Sequence, residues 1–304
     1  MDWDKDGKLD ILSGCYWSDG ADAAHIELLA GRGKMDFAKA VSLKTESGVP
    51  LTNVKHKRDR NDPNDVEWRN ICTHQYAVDY DDDGDLDLVV GCIGAELFFV
   101  ENSGGKGKPI LTDKPEQLSI SVPGAHGGPH LVDWDGDGDL DMLTGSGNGG
   151  AYLSENVGTR KAPKWSDFVQ LVPPSTAGLQ TTDGGGEIVP SRATRVWVTD
   201  WNGDGKLDLL LGDNCTVSNR KPGISAEEFK KLKAEYDKEF SEAATAYSAV
   251  VQKYTKQQQE DGEVSAELQA ELQKASTAYS QVYQKKNRFV DERRTGFVWL
   301  FVQK

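Results

Sequence analysis

Aspartate is the residue whose spacing in this chain could do chemistry. Four segments carry it in one pattern: DWDKDGKLDILSG from Asp2, DYDDDGDLDLVVG from Asp79, DWDGDGDLDMLTG from Asp133 and DWNGDGKLDLLLG from Asp200. Each reads D-x-[DN]-x-D-G-x-L-D, then three mostly apolar residues and a glycine. Side chains at positions 1, 3 and 5 of so tight a loop can converge on one point. They are Asp2, Asp4 and Asp6; Asp79, Asp81 and Asp83; Asp133, Asp135 and Asp137; and Asp200, Asn202 and Asp204. Glycine at position 6 permits a bend that residues with a Cβ resist. Position 7 (Lys8, Asp85, Asp139, Lys206) would offer its backbone carbonyl, leaving its side chain free to vary, and position 9 (Asp10, Asp87, Asp141, Asp208) returns a carboxylate. This all-oxygen set suits calcium, which takes about six to eight oxygens at about 2.3–2.6 Å. Carboxylates so crowded repel one another without a cation, so the loops read as structural calcium sites rather than plain acidic turns. Asn202 removes one charge from the fourth loop and predicts weaker binding there. An EF-hand would need a glutamate at position 12 and flanking helices. Position 12 is instead Ser13, Val90, Thr144 or Leu211, inside runs that read as buried strands.

The elements that must position these loops are short strands. An apolar run precedes three of the loops, at 76–78, 131–132 and 196–198, and the LVVG-type strand follows each of the four. Third strands are expected at 25–29, 97–100 and 151–153, and fourth strands near 37–43, 118–122 and 168–172. Glu101-Asn102 and Glu155-Asn156 are expected to make the turn after strand three. Four antiparallel strands per repeat of roughly 40–70 residues form the blade of a β-propeller. The expected fold is therefore all-β, with about four blades.

These repeats resemble the FG-GAP/VCBS repeats of secreted bacterial propellers, related to the propeller of integrin α-subunits. The DWDGDGDLD-plus-apolar-plus-glycine motif carries the resemblance, and the blades span nearly all the chain outside one insertion. The resemblance implies an extracellular or cell-surface module, with calcium between the first two strands of each blade and no enzymatic activity. The first motif begins at residue 2 without its leading strand, and FVWLFV at 297–302 reads as the third strand of the fourth blade. A fragment of a larger propeller is expected, with its leader upstream and its first calcium loop compromised.

The insertion changes composition between Cys215 and Gly296. Apolar residues recur at helical steps from Phe229 through Leu232, Tyr236, Phe240, Ala243, Tyr247 and Val250 to Tyr254. Ser225-Ala226-Glu227-Glu228 forms a capping box, and Glu260-Asp261-Gly262 breaks the helix. A second stripe runs from Val264 through Leu268, Leu272, Ala275, Tyr279 and Val282 to Phe289. Two helices of about 25–35 residues would make an antiparallel coiled-coil hairpin. The expected division is 1–223 for the blades, 224–294 for the hairpin and 295–304 for the closing strand. The hairpin reads as a protein-binding arm or as a brace.

His74, His130 and Arg195 each precede a loop on an innermost strand, where they would line the propeller channel near His126 and form a candidate ligand site. The alternative, which the sequence favours, is that these groups hydrate the channel or bond to neighbouring blades. No nucleophile elbow, HExxH or phosphate loop is present, and Glu187 is the one acid singled out for a lyase or hydrolase. Cys15, Cys72, Cys92 and Cys215 include no CxxC pair, which leaves free thiols or disulfides open. The 49 acidic against 35 basic residues give a formal charge of −14 and make nucleic acid a poor partner. No apolar run reaches the roughly 18 residues of a membrane span. The expectation is a secreted, periplasmic or surface module that binds an extracellular protein or glycan. The competing expectation is a carbohydrate-active enzyme, a lyase or hydrolase, on the same scaffold.

Overall fold

The computed structural model describes residues 1–16, 25–51, 73–105, 107–174, 188–261 and 263–304. The chain divides into two compact units. The first contains Met1–Ser175, Pro190–Cys215 and Gly296–Lys304; the second contains Thr176–Val189 and Thr216–Thr295.

Among the described residues, four antiparallel sheets of three or four strands and one two-stranded hairpin build the first unit. The first joins β1 (Ile11–Gly14), β2 (Ile26–Leu29) and β5 (Val41–Ser42), with β3 (Gly31–Gly33) and β4 (Asp36–Phe37) forming a separate small hairpin. The second orders β6 (His74–Val78), β7 (Asp87–Gly91), β8 (Glu96–Val100) and β9 (Glu116–Ser121) side by side. The third repeats this with β10 (Pro129–Val132), β11 (Asp141–Gly145), β12 (Ala151–Ser154) and β13 (Val169–Val172). In the fourth, β14 (Arg192–Thr199) pairs with the start of β15 (Asp208–Arg220), which pairs on its other side with β17 (Val298–Phe301). Every Asp-rich loop followed by a full register is a hairpin connection: Val78 pairs with Asp87, Val132 with Asp141 and Thr199 with Asp208. The second strand thus begins on the position-9 aspartate.

The sheets stack face to face, so their central strands are buried on both sides and read as unbroken apolar runs. Alternation along β7 shows why. Leu88 and Val90 join a cluster with Trp3, Ile26 and Leu43 from the first repeat, while Val89 joins one with Leu131 and Met142 from the third. Leu143 of β11 then turns toward Leu209 and Leu211 of the fourth sheet. The glycine closing each of the first three motifs serves this stacking. A Cβ on Gly14, Gly91 or Gly145 would lie 1.9, 2.2 or 2.1 Å from the carbonyl oxygen of Thr73, Gly127 or Thr194, each leading into the next sheet. At Gly212, the fourth copy, the nearest atom would be Arg195 O at 3.9 Å.

The second unit carries α1 (Ala226–Asp261) and α2 (Ala266–Lys285), followed by a 3-10 turn at Lys286–Arg288 and by β16 (Val290–Thr295). Ser225 starts α1 as the capping box predicts, its Oγ accepting from Glu228 N at 3.1 Å. Ion pairs Lys253–Glu271 and Lys285–Glu239 show the helices running antiparallel. Tyr247 stacks on Tyr279 between them at 5.4 Å. The second helix is shorter than its stripe suggested: it ends at Lys285, and Phe289 lies beyond the turn, in a cluster with Phe229, Tyr236 and Val290. Lys286 is buried because its Nζ pairs with Glu292 at 2.6 Å and sits 3.6 Å from the Tyr283 ring centre. No described helix is long and apolar enough to cross a membrane. Trp3, Trp134, Trp165, Trp197, Trp201 and Trp299 all fall in the first unit, and residues 216–295 contain no tryptophan.

Candidate functional site

The four loops share one hydrogen-bond scaffold, made by short side chains that bond the backbone two residues on. The position-3 oxygen accepts the position-5 N–H: Asp4 from Asp6 at 3.1 Å, Asp81 from Asp83 at 3.2 Å, Asp135 from Asp137 at 3.1 Å, and Asn202 from Asp204 at 2.8 Å. Position 5 accepts from position 7 in the same way, at 2.9 to 3.0 Å. Position 1 closes the loop, with Asp2, Asp133 and Asp200 accepting from the amides of Gly7, Gly138 and Gly205. Position 6 is left-handed in all four copies, with φ from 85 to 98°. Position 4 is left-handed too, at Lys5, Asp82, Gly136 and Gly203. The sequence reading missed this second bend, although glycine at position 4 in two copies signals it.

Asp2, Asp4 and Asp6 bring one oxygen each within 4.8 Å of the others, as do Asp79, Asp81 and Asp87, and Asp133, Asp135 and Asp141. In the fourth loop the Asn202 amide donates to Asp204 Oδ2 at 3.1 Å. At position 7 the side chains of different copies sit differently. Lys8 pairs with Asp6 at 2.7 Å, whereas Asp139 is buried. Buried Oδ1 atoms of Asp2, Asp85 and Asp139 have no hydrogen-bond partner among the described residues. Burial, then the neighbouring aspartates, pushes the Asp85 and Asp139 carboxyls above their ordinary range. An all-oxygen donor set with orphaned carboxylate atoms fits a hard divalent cation.

Position 9 carries a second task that its ligand reading did not contain. Asp10, Asp87, Asp141 and Asp208 are buried, and each ties two backbone amides together. One oxygen accepts from position 2, namely Trp3, Tyr80, Trp134 or Trp201, at 2.7 to 3.0 Å. The other accepts from the chain leaving the third strand, at Gly31, Asn102, Asn156 or Gln303. Burial, opposed by these bonds, raises Asp87 to about 7. The two expected asparagine turns are real: Asn102 Oδ1 accepts from Gly104 and Ile110, and Asn156 Oδ1 from Gly158 and Lys164. Neighbouring repeats also touch the loops, since Arg160 donates to the carbonyls of Asp79 and Tyr80, and Lys5 to that of Gly84.

His74, His130 and Arg195 line one cavity of about 390 Å³ where the first strands of the second, third and fourth sheets meet the end of β1. Arg195 Nη2 donates to His74 Nε2 at 2.6 Å. Burial, then the Arg195 charge, lowers His74 to about 3, and burial lowers His130 to about 4. Nearby His126 gives its carbonyl to Arg195 Nη1 at 3.2 Å. Glu187 and Cys72 lie outside the described residues. Cys215 is a buried thiol whose pKa burial and Asp213 raise.

No curated protein matches the chain. Residues 79–144, from the first aspartate of the second loop into the second strand of the third sheet, match the family described as the FG-GAP-like repeat, and the chain is consistent with that repeat family.

Proposed function

We propose that the chain is a calcium-binding β-propeller module that works outside the cell or on its surface, holding a protein or glycan without catalysing a reaction. One observation carries this reading: the same hydrogen-bonded Asp-rich loop recurs before the second strand of four sheets that stack face to face, and in three of the loops carboxylate oxygens converge. Successive sheets packed in this way, joined by a matched FG-GAP-like repeat, are the makings of propeller blades. Positions 1, 3, 5 and 9 would supply carboxylate oxygens to the ion and position 7 a carbonyl. Bound calcium would neutralise the carboxylates and stiffen the loops. Calcium outside cells is near the roughly 10⁻⁴–10⁻³ M dissociation constants of extracellular modules, which supports export.

Thermal melts in millimolar calcium and in excess chelator test the reading, on the wild type and on Asp135→Asn. A ligand binding only the folded state at a hundredfold excess over its Kd stabilises by about 2.7 kcal/mol per site. The wild type is expected to melt several degrees higher in calcium, and the variant to show a smaller rise. Equal melting temperatures in both buffers would refute calcium binding.

A further inference from the structure

The sheet interfaces of the first unit repeat one another position by position, so each exposed position on the outermost sheets has buried counterparts. At motif position 2, Trp3, Tyr80 and Trp134 each pack into the interface with the following sheet. Trp201, the fourth copy, is 62% exposed. The residue two after the position-9 aspartate faces the same way. Val89 and Leu143 are fully buried against the following sheet and Leu12 packs there too, whereas Leu210 is in none of the three clusters. Across from Val89 and Leu143 on the third strands stand Phe99 and Leu153, both packed into those interfaces. Across from Leu210 stands Leu300, 42% exposed. Two residues before these, Leu97 and Ala151 are fully buried, and Val298 is 71% exposed.

The other end of the stack carries the matching half. Position 8 points toward the preceding sheet: Leu86, Leu140 and Leu207 pack into the interfaces before their own sheets, while Leu9 is 70% exposed. Position 10 does the same, with Leu88, Met142 and Leu209 buried there and Ile11 43% exposed. The fourth sheet thus ends on one half of an interface that the molecule makes three times, and the first sheet opens on the other half. Charge follows the same rule. Arg160, on the connection after Asn156, donates to the carbonyls of Asp79 and Tyr80 in the preceding loop. The corresponding connection of the first repeat, after Gly31, exposes Arg32 and Lys34. Contiguous exposed apolar faces with polar rims of this kind mark interaction sites.

We infer that the fourth sheet seats the first sheet of a second copy of this chain, and that two copies close head to tail into one ring of blades. Leu9 and Ile11 of one copy fill the places beside Trp201, Leu210 and Leu300 of the other, as Leu140 and Met142 do beside Tyr80, Val89 and Phe99. Arg32 then faces the carbonyls of Asp200 and Trp201. Propellers typically have about four to eight blades, so two stacks of four sheets reach a closed ring within that range. A head-to-tail contact ends in a ring when its rotation closes, and a closed pair makes the contact twice. Gly212 stays outside it, because the first sheet has no described strand ahead of its loop to bring a carbonyl there. The inference rests on reading the sheets as blades and does not depend on calcium in the loops.

Sedimentation velocity of the whole chain in millimolar calcium tests it, over a concentration series in the micromolar range. The wild type is expected at twice the mass of one chain. Ile11→Glu alters only the first-sheet face and Leu300→Lys only the fourth-sheet face, and each variant alone should sediment as a monomer. Mixed in equal amounts, the two should return to the double mass. One contact of the mixed pair is then wild type on both sides, and the other sets the new glutamate against the new lysine. A wild type that stays monomeric throughout the series overturns the proposal and leaves the two faces to other partners. A dimer that survives both substitutions overturns it too, since its contact lies elsewhere. A mixture that stays monomeric while the wild type pairs overturns the head-to-tail arrangement, and a mass that keeps growing with concentration overturns the closed ring. Should a variant fail to fold, the wild-type mass and the other variant decide. A monomer that melts higher in calcium overturns the pairing alone, and a dimer indifferent to calcium overturns the calcium reading alone.

Discussion

Asp87 separates two tasks that its motif superimposes. Its carboxylate accepts from Tyr80 N at 2.9 Å and Asn102 N at 2.8 Å, both with no ion involved. Truncating it strands two buried donors, at about 1–3 kcal/mol each. Asp87→Ala is therefore expected to cost about 2 kcal/mol or more in urea unfolding, in chelator as well as in calcium. Asp81→Asn copies what Asn202 already does in the fourth loop and keeps an acceptor for Asp83 N. Its destabilisation should appear in calcium and vanish in chelator. The cavity histidines make a prediction of their own. His74 at about 3 and His130 at about 4 lie below their ordinary 6.5, so the unfolded chain takes up protons first. Their contribution to stability is complete above about pH 6.5 and is lost as pH falls toward 4 and then 3. Unfolding measured between pH 4 and 7 in saturating calcium should show a steeper acid slope for the wild type than for a His74→Gln, His130→Gln double variant. Equal slopes would show that the histidines are not held neutral.

The strand that follows each of the first three loops ends in a glycine for a reason visible only once the sheets stack. Gly91→Ala and Gly145→Ala would each drive a methyl group into a neighbouring carbonyl, and overpacking of this kind costs about 1–3 kcal/mol or more. Gly212→Ala has room and should melt within a degree or two of the wild type; a large loss there would mean that another surface covers this strand. How much of this was legible in the sequence follows from the range of the interactions involved. The loops and the strands beside them were readable because their signals are local: Asp and Gly at fixed offsets, and apolar runs of strand length. The third-strand run at 97–100 is β8, and FVWLFV contains β17, paired with β15 as expected. The glycine contacts and the second bond of each position-9 aspartate join residues far apart or in different repeats, and no local pattern announces them. The cavity lay between these extremes. His74, His130 and Arg195 were named from their place before the loops, but Tyr16, Gln75 and Trp197 enter only through the packing of separate sheets. The end of α2 was misplaced because Phe289 keeps the helical step while packing beyond a 3-10 turn.

At the scale of the molecule, stability is distributed between two units built on different physics. The sheet unit gathers all four loops, while the helical unit relies on its aromatic seam and on ion pairs such as Lys253–Glu271. Exposed pairs of that kind contribute little, about 0–1 kcal/mol each, and salt screens them. Calcium should therefore raise the unfolding temperature of one unit and leave the other nearly unchanged. The placement of tryptophan makes this separable without any label. Since the helical segment from 216 to 295 has no indole, tryptophan emission, excited beyond the tyrosine absorption band, follows only the first unit, and ellipticity at the helical minimum follows mainly α1 and α2. In chelator the fluorescence transition should move to lower temperature while the ellipticity transition stays in place; a joint shift would mean that the two units unfold as one. The molecule thus carries two optical reporters, one for each half of its architecture, and a single heated sample can be asked which half is listening to the ion.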